Sequence, residues 1–330
     1  MIEQLRSESC QAFAARWWVV VLPVLLLAGV CAGHIVGTVR EDYGAYLAMF
    51  AWARTVEWNG LLTFPYRDYG FGALLFLFAK LLPASDALWF FLIAMLGLGV
   101  KFYCFQLFSP AYWVAMLVHV ALFFVLHDYT QLRASLGIAF LMLGVGFLVS
   151  RGQYGRMAGS WLLAASFHVQ TLFAMLLALT CVFSMAAFLG GTALSLLGGK
   201  LFTWASSNFD RLVPYLSYRV EQTPNPFSSL KIYQYLTLVL FLYYRGDIRA
   251  RGWKMVELSG WFLLAGLGIF IGLLRFPAVA HRLSEMLFAF MPFLVSGLFV
   301  LMPKRFSVPY VGAAAFIGAW ASYRILFLWQ

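Results

Sequence analysis

The sequence predicts an all-α protein that crosses a lipid bilayer many times, and three observations carry that prediction. Hydrophobic residues make up 63% of the 330 and charged residues only 11%, against roughly 25% charged in soluble domains, so most of this surface is not built for water. Aromatic residues reach 18%, with 12 Trp and 16 Tyr, and many stand at the ends of apolar runs, where interfacial belts belong. The apolar runs themselves are mostly of membrane-spanning length and are separated by short polar clusters.

Taken in order, the expected spans are 17–38, 87–106, 110–127, 131–150, 156–199, 230–244, 255–274, 283–301 and 308–328. The first lies behind Arg6 and Arg16 and is longer than a signal-peptide core, so it is read as a retained helix. Leu27-Ala28-Gly29-Val30-Cys31 resembles a lipoprotein cleavage site, but Val30 stands where a small residue is needed. Segment 156–199 has room for one crossing or three, with Gly190, Gly191, Gly198 and Gly199 as turns, which gives nine to eleven crossings. The run 69–82 carries Lys80, ends at Pro83 and is too short to span. It is expected to be a re-entrant or interfacial helix on the outer face, with Tyr43, Tyr46, Phe50, Trp52 and Trp58 as interfacial neighbours. The whole chain, 1–330, then forms one integral membrane domain.

Orientation follows from basic residues in short connections. Arg151 and Arg156, then Arg245, Arg249, Arg251 and Lys254, then Lys304 and Arg305, mark 151–156, 245–254 and 303–306 as cytoplasmic loops. The N-terminus falls inside and the C-terminus outside, and 39–67, 127–131, 200–229 and 275–282 lie on the outer side. The four cysteines, Cys10, Cys31, Cys104 and Cys181, show no metal-binding or redox spacing and are read as packed or lipid-facing thiols.

The charges left on the outer side ask for an explanation. Ten Lys or Arg lie there: Arg40, Arg54, Arg67, Arg133, Lys200, Arg211, Arg219, Lys231, Arg275 and Arg282. Acidic residues of the same segments, among them Glu41, Asp42, Asp68, Asp128 and Glu285, are available to neutralise them. The other reading is an anionic ligand held at the outer boundary, for which the planar fork of arginine suits phosphate. Arg133 opens the 131–150 span behind Gln131 and must snorkel outward or meet a counter-charge or ligand. His168 lies about ten residues into its helix, which at a rise of 1.5 Å puts it near mid-bilayer, either packed or facing a cavity. Gln170 and Thr171 extend it into a polar break. Arg282 and Glu285 share one helical face, as an ion pair or as site residues, with Arg275 and His281 in the same outer region.

Several standard chemistries are missing from the sequence: no Asp-x-Asp motif, no HExxH, no Gly-rich phosphate loop and no Gly-x-Ser-x-Gly elbow. A reaction here is therefore expected to be metal-independent and to need no cofactor. Nor does the aromatic run Tyr233 to Tyr244 have the spacing of a nucleic-acid platform, so no nucleic-acid partner is expected.

Arg40-Glu41-Asp42-Tyr43 with Tyr46, Asp68-Tyr69-Gly70-Phe71 opening a short helix, Gln131-Leu132-Arg133-Ala134, the arginines 151 and 156, Ser166-Phe167-His168, and Arg282 ahead of Pro292 follow one another in an order that resembles the EpsG-type family of bacterial exopolysaccharide polymerases. The resemblance implies a Wzy-like activity for O-antigen, capsule or exopolysaccharide: a glycosyltransferase that joins oligosaccharide repeat units carried on undecaprenyl pyrophosphate, at the periplasmic face of the bacterial inner membrane. On that reading Arg133 and Arg282, with Arg275 and Arg40, hold the pyrophosphate, and His168, Asp42 or Asp68 orients or deprotonates the acceptor hydroxyl. Tyr43, Gln131 and Glu285 support them. A chain-length regulator and a flippase are the protein partners it implies. The alternatives are a flippase for the same lipid-linked oligosaccharide and a glycan ligase.

Overall fold

The computed structural model describes residues 18–33, 41–64, 68–82, 85–150, 153–183, 225–274 and 276–324. These form thirteen α-helices and, among the described residues, no strand. In chain order they are α1 (Trp18–Gly33), α2 (Glu41–Thr55), α3 (Tyr69–Leu81), α4 (Asp86–Phe108), α5 (Tyr112–Leu122), α6 (Leu132–Val149), α7 (Tyr154–Phe167), α8 (Thr171–Phe183), α9 (Ser229–Ala250), α10 (Lys254–Gly272), α11 (Pro277–Phe288), α12 (Met291–Leu301) and α13 (Lys304–Tyr323). A single-turn π-helix, Phe124–Tyr129, links α5 to α6.

The protein is an all-α membrane protein. Helices α4, α6 and α10, of 23, 18 and 19 residues, are each long and apolar enough to cross a bilayer. Helices α11 and α12 qualify together as a fourth, bent by 44°. The bend has a local cause: Pro292 lacks an N–H and its ring clashes with the carbonyl one turn back, so 277–301 cannot run as one straight helix. Around this frame the remaining helices are shorter or interrupted. Segments 184–224 and 325–330, with the expected glycine turns and most of the outer segment 200–229, lie outside the described residues.

Helix ends are set by ordinary chemistry. Ser85 caps α4, its hydroxyl accepting the Leu88 N–H at 3.4 Å, and Asp86 in the first turn suits the positive end of the helix dipole. Ser228 caps α9 in the same way through Lys231 N–H. Pro277 starts α11, where its missing N–H costs nothing.

Helix α6 lies at the centre, packed on α4, α7, α8 and α10. Its contact with α7 is close because glycines face it. A Cβ at Gly144 would meet Trp161 Cδ1 at 2.1 Å, and one at Gly137 would meet His168 Cβ at 2.7 Å. These two positions, seven residues apart, form the small-residue stripe by which helices approach each other in lipid. One apolar cluster spans α1 to α8 with α10 and α11, and a second joins α5, α9, α10, α12 and α13.

Several expectations need correction. The segment 39–67, expected as an outer loop, contains a helix: 41–55 forms α2, with Tyr46, Met49, Phe50 and Ala53 buried. The basic residues Arg245 and Arg249 stand on the last turns of α9 rather than in a loop, and α13 already begins at Lys304. Asp128, expected in an outer loop, is fully buried. The short helix at 69–82 is present as α3, and two of its expected aromatic neighbours pack on it, Tyr46 on Phe71 and Trp58 on Phe76, whereas Tyr43 and Phe50 pack on Phe90 and Trp89 of α4 and Trp52 on Phe64.

Candidate functional site

The site grows from a break in a helix. Helix α7 stops at Phe167, and His168 leaves helical geometry with φ −156° and ψ 101°. The new helix α8 begins at Thr171, whose N–H and hydroxyl both donate to the His168 carbonyl, at 3.0 and 2.8 Å. A break inside a membrane protein frees backbone groups that need partners. The Val169 N–H finds one in Asp68 Oδ1, at 3.3 Å.

Asp68 stands at the N-terminus of α3 but does not cap it. Its carboxylate turns outward from its own helix, over α7, where Gly70 allows close approach: a Cβ there would lie 2.9 Å from the Ser166 backbone. Asp68 Oδ2 accepts from Arg133 Nη1 at 2.8 Å and lies 3.8 Å from His168 Nδ1. Asp68 is 5% exposed at its side chain and Arg133 24%, so this ion pair is partly shielded from water and is held from both sides. Arg133 is also held through its backbone, since its N–H, in the first turn of α6 where helical partners are lacking, donates to the Tyr46 hydroxyl at 3.3 Å.

These groups open onto a pocket with about 580 Å³ of empty space, part of it continuous with solvent. Arg133, Gln131, Ala134 and Ile138 come from α6 and the turn before it, and His168 and Gln170 from the helix break. From α11 come Arg282, Glu285 and Met286, and Tyr46 and His127 complete the lining. Glu285 lies 3.6 Å from His281, one turn away on α11. The pocket therefore joins cations, an imidazole beside a carboxylate, and neutral hydrogen-bonding groups contributed by four separate stretches of chain.

Depth follows from helix length. Arg133 lies about 24 Å along α6 from its Val149 end, and His168 about 21 Å along α7 from Tyr154, at 1.5 Å per residue. Both ends named are flanked by arginine in the sequence, so Arg133 and His168 lie at the helix ends remote from Arg151 and Arg156. His168 thus stands at a height along α7 within about 3 Å of that of Arg133 along α6.

Of the expected site residues, Asp68, Arg133, His168, Gln131, Arg282 and Glu285 come together here. Tyr43 does not line the pocket; it stacks on Phe90 at 5.7 Å, and Tyr46 one turn later takes the place at the site. Arg40 and Arg275 lie outside the described residues, as does the side chain of Asp42, whose backbone opens α2. Sequence reasoning overlooked Tyr46 as a site residue and His127 altogether.

It also missed what lies behind the pocket. Asp128 Oδ1 accepts from Lys101 Nζ at 2.6 Å and from the Ser135 hydroxyl, while Oδ2 meets His119 Nε2 at 2.8 Å. Lys101 Nζ donates further to Ser135 Oγ at 2.9 Å. All four residues are buried, and they tie α4, α5, the π-turn and α6 together. The signal in the sequence was a lysine and an aspartate of opposite charge in or beside adjacent apolar spans, since intramembrane charges need partners.

No curated protein and no solved structure matches the chain. A family model matches residues 17–327, nearly the full length. The described geometry agrees in kind with that match: an all-α membrane protein whose polar residues, scattered along the chain, converge on one pocket. The protein belongs to the EpsG family, a family of polysaccharide polymerases.

Proposed function

We propose that the protein joins oligosaccharide repeat units linked to undecaprenyl pyrophosphate, at the periplasmic face of the bacterial inner membrane, with its N-terminus in the cytoplasm and its C-terminus outside. The observation that carries this reading is the convergence of Arg133, Arg282 and His168 on one pocket, with Asp68 paired to Arg133 and 3.8 Å from His168. A diphosphate at headgroup depth needs cations with directional donors, and guanidinium groups supply them.

In the reaction we infer, the acceptor hydroxyl oxygen attacks the anomeric carbon of the donor glycan. The bond from that carbon to the pyrophosphate oxygen breaks, and undecaprenyl pyrophosphate leaves. Arg133 and Arg282 stabilise the charge that develops on the leaving group, the task of preorganised donors in a water-poor site. His168 takes the hydroxyl proton as general base. Asp68 is committed to Arg133 and to the Val169 N–H, so it orients these groups and stabilises the imidazolium instead of acting as the base itself. Since the glycan already carries its leaving group, no nucleotide sugar enters the reaction, and the two guanidinium groups take the charge-stabilising role a metal ion would otherwise have at the diphosphate.

The test is reconstitution of the purified protein in proteoliposomes with an undecaprenyl-pyrophosphate-linked repeat unit. The expected result, in the presence of EDTA and without nucleotide sugar, is a ladder of products differing by one repeat unit, with one undecaprenyl pyrophosphate released per bond. Repeat units that cross the bilayer without being joined would mark a flippase and contradict the proposal.

A further inference from the structure

The pocket holds a histidine that the mechanism above does not use. His127 is 1% exposed yet lines the pocket, and its Nδ1 is buried without a hydrogen-bond partner among the described residues. Gln170 Oε1, on the same pocket wall set, is in the same condition. Buried polar atoms in native proteins are nearly always partnered, so these two, with His168 Nδ1 in the same condition on a third residue of the pocket, point to a ligand that supplies the missing groups. A diphosphate, whose oxygens only accept, satisfies the Gln170 amide and the His127 imidazole in one amide orientation and one tautomer, whereas a sugar ring satisfies them in any, since each hydroxyl both donates and accepts.

The placement of His127 is elaborate. Its ring stacks on Phe123 at 5.6 Å and 25°, and Phe123 stacks in turn on His119 at 6.1 Å and 25°. The next residue, Asp128, is the acceptor at the centre of the buried cluster formed with Lys101, His119 and Ser135. A π-turn is a locally widened helix often found at functional sites, and here it sends His127 to the pocket and Asp128 into the cluster. The cluster grips both sides of the corner 129–131, through Asp128 before it and Ser135 after it. That corner also delivers Gln131 and Arg133.

We propose that His127 and Gln170 form a glycan-recognition subsite beside the arginines, contacting hydroxyls of the sugar nearest the pyrophosphate, and that Asp128 is the positioning residue that holds His127 there through the buried cluster. This rests on the reading that a lipid-pyrophosphate-linked glycan is the substrate. The pocket then divides its work: guanidinium groups for the carrier, neutral amide and imidazole for the sugar.

The experiment uses the full-length protein in nanodiscs, with two readouts: binding of sugar-free undecaprenyl pyrophosphate, and chain lengthening of the lipid-linked repeat unit. His127→Ala is expected to reduce lengthening at least about 10-fold while changing undecaprenyl-pyrophosphate affinity less than about 2-fold. His127→Asn, whose amide can stand near the position of Nδ1, restores much of the activity, and His127→Phe does not. The double variant Lys101→Met/Asp128→Leu, which removes the ion pair without stranding either charge, folds and binds undecaprenyl pyrophosphate but lengthens chains as poorly as His127→Ala. Unchanged lengthening in His127→Ala, or parallel loss of carrier binding, overturns the sugar subsite. A fully active double variant overturns the positioning role. If the unaltered protein does not bind undecaprenyl pyrophosphate at all, the parent reading fails instead.

Discussion

Arg133→Ala is expected to abolish chain lengthening, by at least about 10² to 10³ in rate, the range seen when one preorganised donor to a developing anion is removed. Cells relying on the variant should carry single repeat units or very short chains while the protein is still found in the membrane. The variant also strands Asp68, which is 5% exposed at its side chain and would keep only the Val169 N–H and the nearby His168. Part of the loss could then be structural, because breaking a shielded ion pair costs more than removing both partners. Arg133→Met/Asp68→Asn separates the two effects. It should bring the amount of folded protein back toward normal and leave lengthening lost; recovery of long polymer in that variant would make Arg133 a structural residue. Arg133→Lys is expected to retain some activity, since a lysine keeps the charge but cannot present two parallel donors.

The second large effect concerns stability. Lys101→Met should destabilise the protein by about 3 to 5 kcal/mol, because it leaves Asp128 buried with His119 and Ser135 but without its cation. Asp128→Asn should cost a similar amount by stranding Lys101. The double variant Lys101→Met/Asp128→Leu should recover most of the loss, since apolar replacements of a buried pair are often tolerated. Lys80→Met provides the control: Lys80 is exposed on α3, and its change should stay within about 0.5 kcal/mol. Thermal unfolding followed by intrinsic fluorescence in detergent reads all four. Equal stability of Lys101→Met and Lys80→Met would contradict the account of the buried cluster.

The parts legible in the sequence were those with a strong local signal. Long apolar runs gave α4, α6 and α10 within a few residues of their observed ends. A short run closed by Pro83 gave α3, and polar residues interrupting an apolar run gave the break at His168. Arg133, His168 and Arg282 were legible because charged or titratable groups in membrane segments are expensive and need a reason. Helix α2 was hidden because its charged residues sit at its ends, and the segment reads as a polar loop with scattered aromatics until Tyr46 and Phe50 are seen buried side by side. The Lys101–Asp128 pair was hidden for a different reason: the partners are 27 residues apart and no local pattern links them. Asp128 follows an apolar run directly, which looks like a loop unless the chain turns inward, as the π-turn makes it do.

Tyr46, the backbone N–H of Val169 and His127 share a lesson. Each acts through a tertiary contact that local periodicity does not encode: a hydroxyl reaching across to α6, an amide freed by a helix break, an imidazole delivered by a widened turn. The charged residues of the pocket, Arg133 and Arg282, could be named in advance, whereas the residues that place them required the packing.

The most direct test of the proposed chemistry is a structure of the protein in a nanodisc saturated with undecaprenyl pyrophosphate. The account predicts the diphosphate in the pocket between Arg133 and Arg282, with guanidinium nitrogens at about 2.7 to 2.9 Å from its oxygens, and with Asp68 still bound to Arg133. A diphosphate seated elsewhere, out of reach of Arg133, would contradict it.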